Sequence, residues 1–106
     1  MELAQEKSQP VAKGTPPLAR REAEELARQV PNWSMIDGAL EKEVRFEDFT
    51  EAMRFVNRVA EVAEEENHHP DIKISYNKVH LTLSTHSIGG LSLNDFIVAA
   101  KIERLL

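Results

Sequence analysis

Apolar residues recur with two different periods along this chain, and the switches between the periods mark its elements. Leu18, Ala19, Ala23, Leu26, Ala27 and Val30 stand at helical spacing with Arg and Glu between them, and predict a first helix. Thr15 is placed to cap it, Pro16 fits a first turn, and Pro31 stops it. Trp33-Ser34-Met35-Ile36 reads as a short strand and Asp37-Gly38 as a tight hairpin turn. The return strand sets Leu40, Val44 and Phe46 on one face against Glu41, Glu43 and Arg45 on the other. Asp48, with Glu51 three residues on, opens a second helix. Its stripe is Phe49, Ala52, Met53, Val56, Val59, Ala60 and Ala63, and it runs out in Glu64-Glu65-Glu66.

Period two then returns. Ile72, Ile74 and Tyr76 alternate with Asp71, Lys73 and Ser75; after an Asn77-Lys78 turn, Val79, Leu81 and Leu83 alternate with His80, Thr82 and Ser84. Gly89-Gly90 breaks the chain, and Ser92 caps a last helix with Asp95 at its third position. The expected fold class is α+β, a four-stranded antiparallel sheet with three helices on one face in the order α-β-β-α-β-β-α. Nothing marks a strand–helix–strand unit with a Gly-rich phosphate loop, so a nucleotide fold is not expected.

Two stretches do not fit a self-contained core. Residues 1–15 are polar and carry Pro10 and Gly14, so they read as a flexible tail ahead of a single domain, 16–106. The last helix has the opposite excess. Leu93, Phe96, Ile97, Val98, Ala99, Ala100, Ile102, Leu105 and Leu106 cover most of its circumference, which points to a partner subunit.

Composition narrows the function classes. The chain has 106 residues, one domain's worth, and a formal net charge of −5, which argues against binding nucleic-acid backbones. It has no cysteine, so disulfides, thiolate metal sites and cysteine nucleophiles are excluded. No apolar run reaches a membrane span and the N-terminus has no secretory h-region, so the expected location is cytoplasmic.

The chemistry concentrates in EEENHHPDIKISY, Glu64 to Tyr76. Acids at a helix C-terminus oppose the macrodipole. For Glu65 and Glu66 the bland alternative is a frayed helix end facing water. Glu64 lies one turn before His68, where a carboxylate and a helix C-terminus both favour the charged imidazole. Pro70 biases His69 toward extended backbone, so the two neighbouring rings diverge and serve different roles. That divergence argues against a zinc pair. His86 stands at a strand end; His80, mid-strand on the polar face, needs no special role. The residues alone support a proton-transfer or small-molecule site built on histidines.

In order, Glu64, three residues, His68-His69-Pro70, five residues, Tyr76, nine residues, His86, eight residues and Asp95 resemble the signature of the pterin-4a-carbinolamine dehydratase family. SYNKVHLTLSTH, GGLS and RFEDFTEAMRFVNRVA are similar to it too, and the resemblance spans residues 18 to 105. It implies dehydration of 4a-hydroxytetrahydropterins to quinonoid dihydropterin in tetrahydropterin recycling, without metal or organic cofactor. His68 and His86 are then the acid–base pair and His69 holds the pterin. Asp95 both caps its helix and orients a histidine or the pterin, and Glu64 tunes the pair. Tyr76 is as well explained by packing as by substrate stacking. The resemblance also implies a homodimer or homotetramer, for which the last helix is the expected interface. Its alternatives are a non-enzymatic dimerisation or coactivator role and a place in another pterin pathway, such as that of molybdopterin.

Overall fold

The computed structural model describes all residues, Met1–Leu106. Three helices and four strands follow one another as α1 (Arg20–Ala27), β1 (Ser34–Ile36), β2 (Ala39–Arg45), α2 (Phe49–Glu66), β3 (Asp71–Ser75), β4 (Lys78–Leu83) and α3 (Leu93–Glu103). Short 3₁₀ turns occupy Leu3–Gln5 and His86–Ile88. The strands form one antiparallel sheet in the order β1-β2-β4-β3, so each hairpin supplies one central and one edge strand. The expected α+β class and element order are those observed.

Local chemistry explains most boundaries. Asp37 and Gly38 both take positive φ, 47° and 77°, the conformation that a two-residue hairpin requires and Gly tolerates. Asp48 caps α2 by accepting the Glu51 N–H at 2.9 Å. The first helix begins later than its periodicity suggests. Its cap is Ala19, not Thr15, and Glu22 satisfies the Ala19 N–H from within the first turn. Pro17 and Leu18 are held instead by the loop before α3: the Leu18 N–H donates to the Leu91 carbonyl, and Pro17 lies against Gly90. A Cβ on Gly90 would stand 2.8 Å from that of Pro17, so only glycine fits there.

The second hairpin turns at Tyr76-Asn77, one residue before the Asn77-Lys78 turn expected. Asn77 exchanges hydrogen bonds with the Phe46 backbone through its side-chain amide and its own carbonyl, which pins the turn against the end of β2. Tyr76 is thereby forced to a φ of 51°.

The core joins Leu40, Val79, Leu81 and Leu83 of the sheet to α2 and α3. On α2 the buried ridge is Ala52, Phe55, Val59, Ala63 and Glu66, rotated from the stripe expected; Phe49 is exposed and Phe55 packs against the Phe46 ring. Every residue of β3 is exposed. Ile72 and Ile74 share a face with the buried Leu81 and Val79, but they lie at an edge that the helices do not cover.

Two corrections concern the chain ends. Residues 3–9 are not a loose tail. Leu3 is 1% exposed and its turn packs on α3, while Ser8 and Gln9 hydrogen-bond to Glu66 and Asn94. This same docking accounts for the surplus apolar surface of the last helix. Asn94 to Ala100 and Ile102 are buried within a single chain, which leaves Leu93 and Leu105 half-buried and Leu106 exposed. A polar stretch with one well-placed leucine and an over-apolar helix satisfy each other. Finally, no helix is long and apolar enough to cross a membrane.

Candidate active site

The C-terminus of α2 delivers the histidines. Asn67 adopts the left-handed conformation (φ 50°, ψ 41°) that ends helices, and Asn accepts it at lower cost than most residues. The amides of Asn67 and His68 then bond back to the carbonyls of Glu64 and Ala63, at 3.4 and 3.1 Å. This turn sends His68 inward and leaves His69 outside.

His68 donates from Nε2 to Asp95 Oδ1 at 2.5 Å. Asp95 is fully buried in the first turn of α3, where its second oxygen, Oδ2, accepts from the Thr85 hydroxyl at 2.8 Å and the Ser92 amide at 2.9 Å. Thr85 and Ser92 also share a 2.7 Å hydroxyl–hydroxyl bond. A buried carboxylate is costly unless its oxygens are bonded. Three donors and a helix N-terminus meet that need here. Asp95 therefore caps α3 and orients His68 with the same carboxylate. The bond also fixes the ring: with the proton of the neutral form on Nε2, the lone pair is at Nδ1.

His69 has a separate partner. Its Nε2 meets Glu64 Oε2 at 2.5 Å, with both side chains more than half exposed. The expected pairing is thus corrected: Glu64 lies one turn before His68 but bonds His69, because Asn67 swings His68 toward α3. His86 opens the 3₁₀ turn directly after Thr85 and is exposed. Tyr76 is not brought to this cluster. The register places Asp71 and Thr82 at one end of the β3–β4 hairpin and Tyr76 at the turn of the other. Five residues of strand separate Tyr76 from Pro70, roughly 17 Å at 3.3 Å per residue.

Beside His68 lies an open cavity of about 250 Å³. Its lining comprises Glu65 to His68, then Thr85, Ser87 and Asn94, and on the far side Lys7 to Val11. This volume lies just below the usual range of about 300–1,000 Å³ and suits one small ring system. Of the three histidines only His68 lines it; His69 follows it in the chain, and His86 stands between the lining residues Thr85 and Ser87 without lining the cavity itself. No three His, Asp or Glu side chains converge as metal ligands would.

Glu66 is the unexpected member. It is 5% exposed, with Oε2 taking a 2.6 Å hydrogen bond from Lys101 and Oε1 a 2.8 Å bond from the Ser8 amide. Burial alone raises its carboxyl pKa, but the Lys101 and Ser8 hydrogen bonds and the charges of Lys101 and Lys7 outweigh it, holding the group below its ordinary value. Lys7 also donates to the Glu65 carbonyl at 2.6 Å. The last turn of α2 contains no basic residue, so the N-terminal segment supplies the cation that this helix end lacks.

Thr85, Ser92, Asn94 and Glu66 escaped the sequence reading as site residues, though two carried a signal. Thr85 continues the inward parity of Val79, Leu81 and Leu83, and Glu66 continues the buried ridge of α2. A polar group on an apolar face is the mark to look for.

Comparisons with known proteins place the chain in a family. A protein from Rubrobacter xylanophilus, provisionally named a pterin-4-alpha-carbinolamine dehydratase, is 49% identical over 105 residues, 98% of each chain. A crystal structure from Brucella melitensis, described as a transcriptional coactivator/pterin dehydratase, superposes with a TM-score of 0.79 at 33% identity; the match covers 84% of this chain and 97% of that one. A pterin dehydratase-like RuBisCO assembly factor of the alpha-carboxysome shares the fold, with a TM-score of 0.57 at 22% identity over 69% of this chain and 84% of its own. The family model for pterin 4 alpha carbinolamine dehydratase matches residues 16–105, which hold the His68–Asp95 and His69–Glu64 pairs and His86. This chain belongs to the pterin 4 alpha carbinolamine dehydratase family.

Proposed function

We propose that the protein dehydrates a 4a-hydroxytetrahydropterin to quinonoid dihydropterin and water, by histidine acid–base catalysis. The observation that carries this reading is the Asp95-anchored His68 beside a cavity sized for one pterin ring system. Elimination breaks the C4a–O bond and removes the proton on N5. Hydroxide leaves poorly, so the oxygen must gain a proton as the bond breaks. His68, held in one tautomer with its lone pair at Nδ1, takes the N5 proton. His86, beside the lining residues Thr85 and Ser87, gives a proton to the departing oxygen. His69 and Glu64 hold the pterin from the exposed side. The chain's own side chains supply every proton transfer.

The test is direct. Generate the 4a-hydroxytetrahydropterin and follow its dehydration with and without protein; absence of acceleration overturns the reading.

A second reading has an observation in its favour. The edge strands are open and bear exposed apolar residues, Met35 and Ile36 on β1 and Ile72 and Ile74 on β3. The Brucella melitensis relative is described as a coactivator as well as a dehydratase. A homodimer or homotetramer, or a coactivator-type contact, is then built on these edges. Lysine substitutions at Ile72 and Ile74 that leave the sedimentation of the protein unchanged would exclude β3 from that role.

A further inference from the structure

We infer that the docked segment Lys7–Val11 is a substrate-positioning wall of the cavity, set by Asn94 and Glu66. The inference rests on the pterin reading above and assigns a role to residues outside the family-defining region, which begins at residue 16.

The attachments of this segment lie on the two elements that carry His68 and Asp95. Asn94, the residue before Asp95, clasps Gln9 at both backbone groups: Oδ1 accepts its N–H at 2.9 Å and Nδ2 donates to its carbonyl at 2.6 Å. Glu66, two residues before His68, accepts the Ser8 N–H on its carboxylate, while its backbone carbonyl accepts the Ser8 hydroxyl. Lys101 holds Glu66 from the opposite side. Upstream, Leu3 is sunk in the core.

A segment that served only stability would need its leucine, not a double clasp at the lip of a cavity. Yet Lys7–Val11 supplies five of the twelve lining residues. With Ser8 held through its backbone N–H and its hydroxyl, and Gln9 through both backbone groups, the wall is fixed before substrate arrives, and less ordering remains to oppose binding. The bonds that hold His68 and Asp95 run to one another, to Thr85 and to Ser92, and none runs to the segment. The wall therefore acts on how substrate is held, in KM, and leaves proton transfer to His68 and His86.

Two variants of the full chain test this. Gln9→Pro removes the N–H that Asn94 accepts, and Asn94→Ala removes both arms of the clasp. Each is expected to raise KM for the 4a-hydroxytetrahydropterin about tenfold, on the scale of one to two net hydrogen bonds, with kcat within about twofold. An unchanged KM, or a loss confined to kcat, overturns the inference. Should either variant fold poorly, amide exchange on the unaltered protein decides. Saturating 7,8-dihydrobiopterin should slow exchange at Ser8, Gln9 and Val11 together with Thr85 to Ser87. Protection of the Thr85 segment without the wall overturns the inference and leaves the pterin reading intact. An unaltered protein that neither accelerates dehydration nor binds this pterin overturns both.

Discussion

The two sides of the α2 C-terminus contain the same chemistry in opposite surroundings. Inward, the buried Glu66 meets Lys101 and the partly buried His68 meets the buried Asp95; outward, Glu64 and His69 pair with each other in water. Both histidines meet a carboxylate oxygen at 2.5 Å, yet the distances say little about what each pair is worth. Asp95 has three donors and no exposure, so its position is over-determined. Glu64 has one partner and free rotamers, and exposed pairs of that kind contribute about 0–1 kcal/mol. Burial converts a common contact into a fixed one.

Substitutions on the inner side should therefore dominate. His68→Ala is expected to lower kcat at least about 100-fold, the low end of an acid–base contribution, and steady-state kinetics checks it. His86→Ala should do the same, and near-normal turnover in either variant refutes its role. Next comes Thr85→Val, which keeps the side-chain shape but leaves Asp95 Oδ2 and the Ser92 hydroxyl each short of a partner. Loss of a buried bond of this kind costs about 1–3 kcal/mol, readable from urea unfolding.

Glu66→Gln probes the inner side through pH. The folded-state carboxyl lies below its ordinary value of 4.5. The stability it contributes is therefore fully present above 4.5 and is lost as pH falls through the lowered folded value. The gap in stability between the unaltered protein and Glu66→Gln should be widest near neutrality and narrow below 4.5. A gap that stays constant with pH would place Glu66 among the exposed acids. The smallest effects belong outside. Glu64→Gln should change stability by less than about 1 kcal/mol, as exposed pairs do. Tyr76→Asn, at the far turn, should leave kcat and KM near those of the unaltered protein. A stability loss well above that in Glu64→Gln, or a large loss of turnover in Tyr76→Asn, would erase the contrast.

The sequence made the sheet, the helices and the histidine cluster legible because each rests on local rules: a two-residue alternation, a helical stripe, an Asp-Gly turn, an Asp cap. It misled where residues far apart answer one another. Glu64 and His68 are correctly spaced for one helical turn, but the left-handed Asn67 ends the helix and exchanges the partners. The last helix looked too apolar and the first residues too polar, since periodicity within one segment cannot show that Leu3 fills the space over α3. Tyr76 matched a motif spacing, yet spacing along a hairpin is blind to which end of the strand holds the site.

The clasp between Gln9 and Asn94 joins residues 85 apart, nearly the whole length of the chain. During synthesis residues 3–9 leave the ribosome long before α3, and their seat exists only once that helix has emerged. Closing so long a loop brings no reward until the helix is there to receive it. Residues 3–9 are made well before the helix that seats them, and until the two meet the apolar surface of α3 stands uncovered.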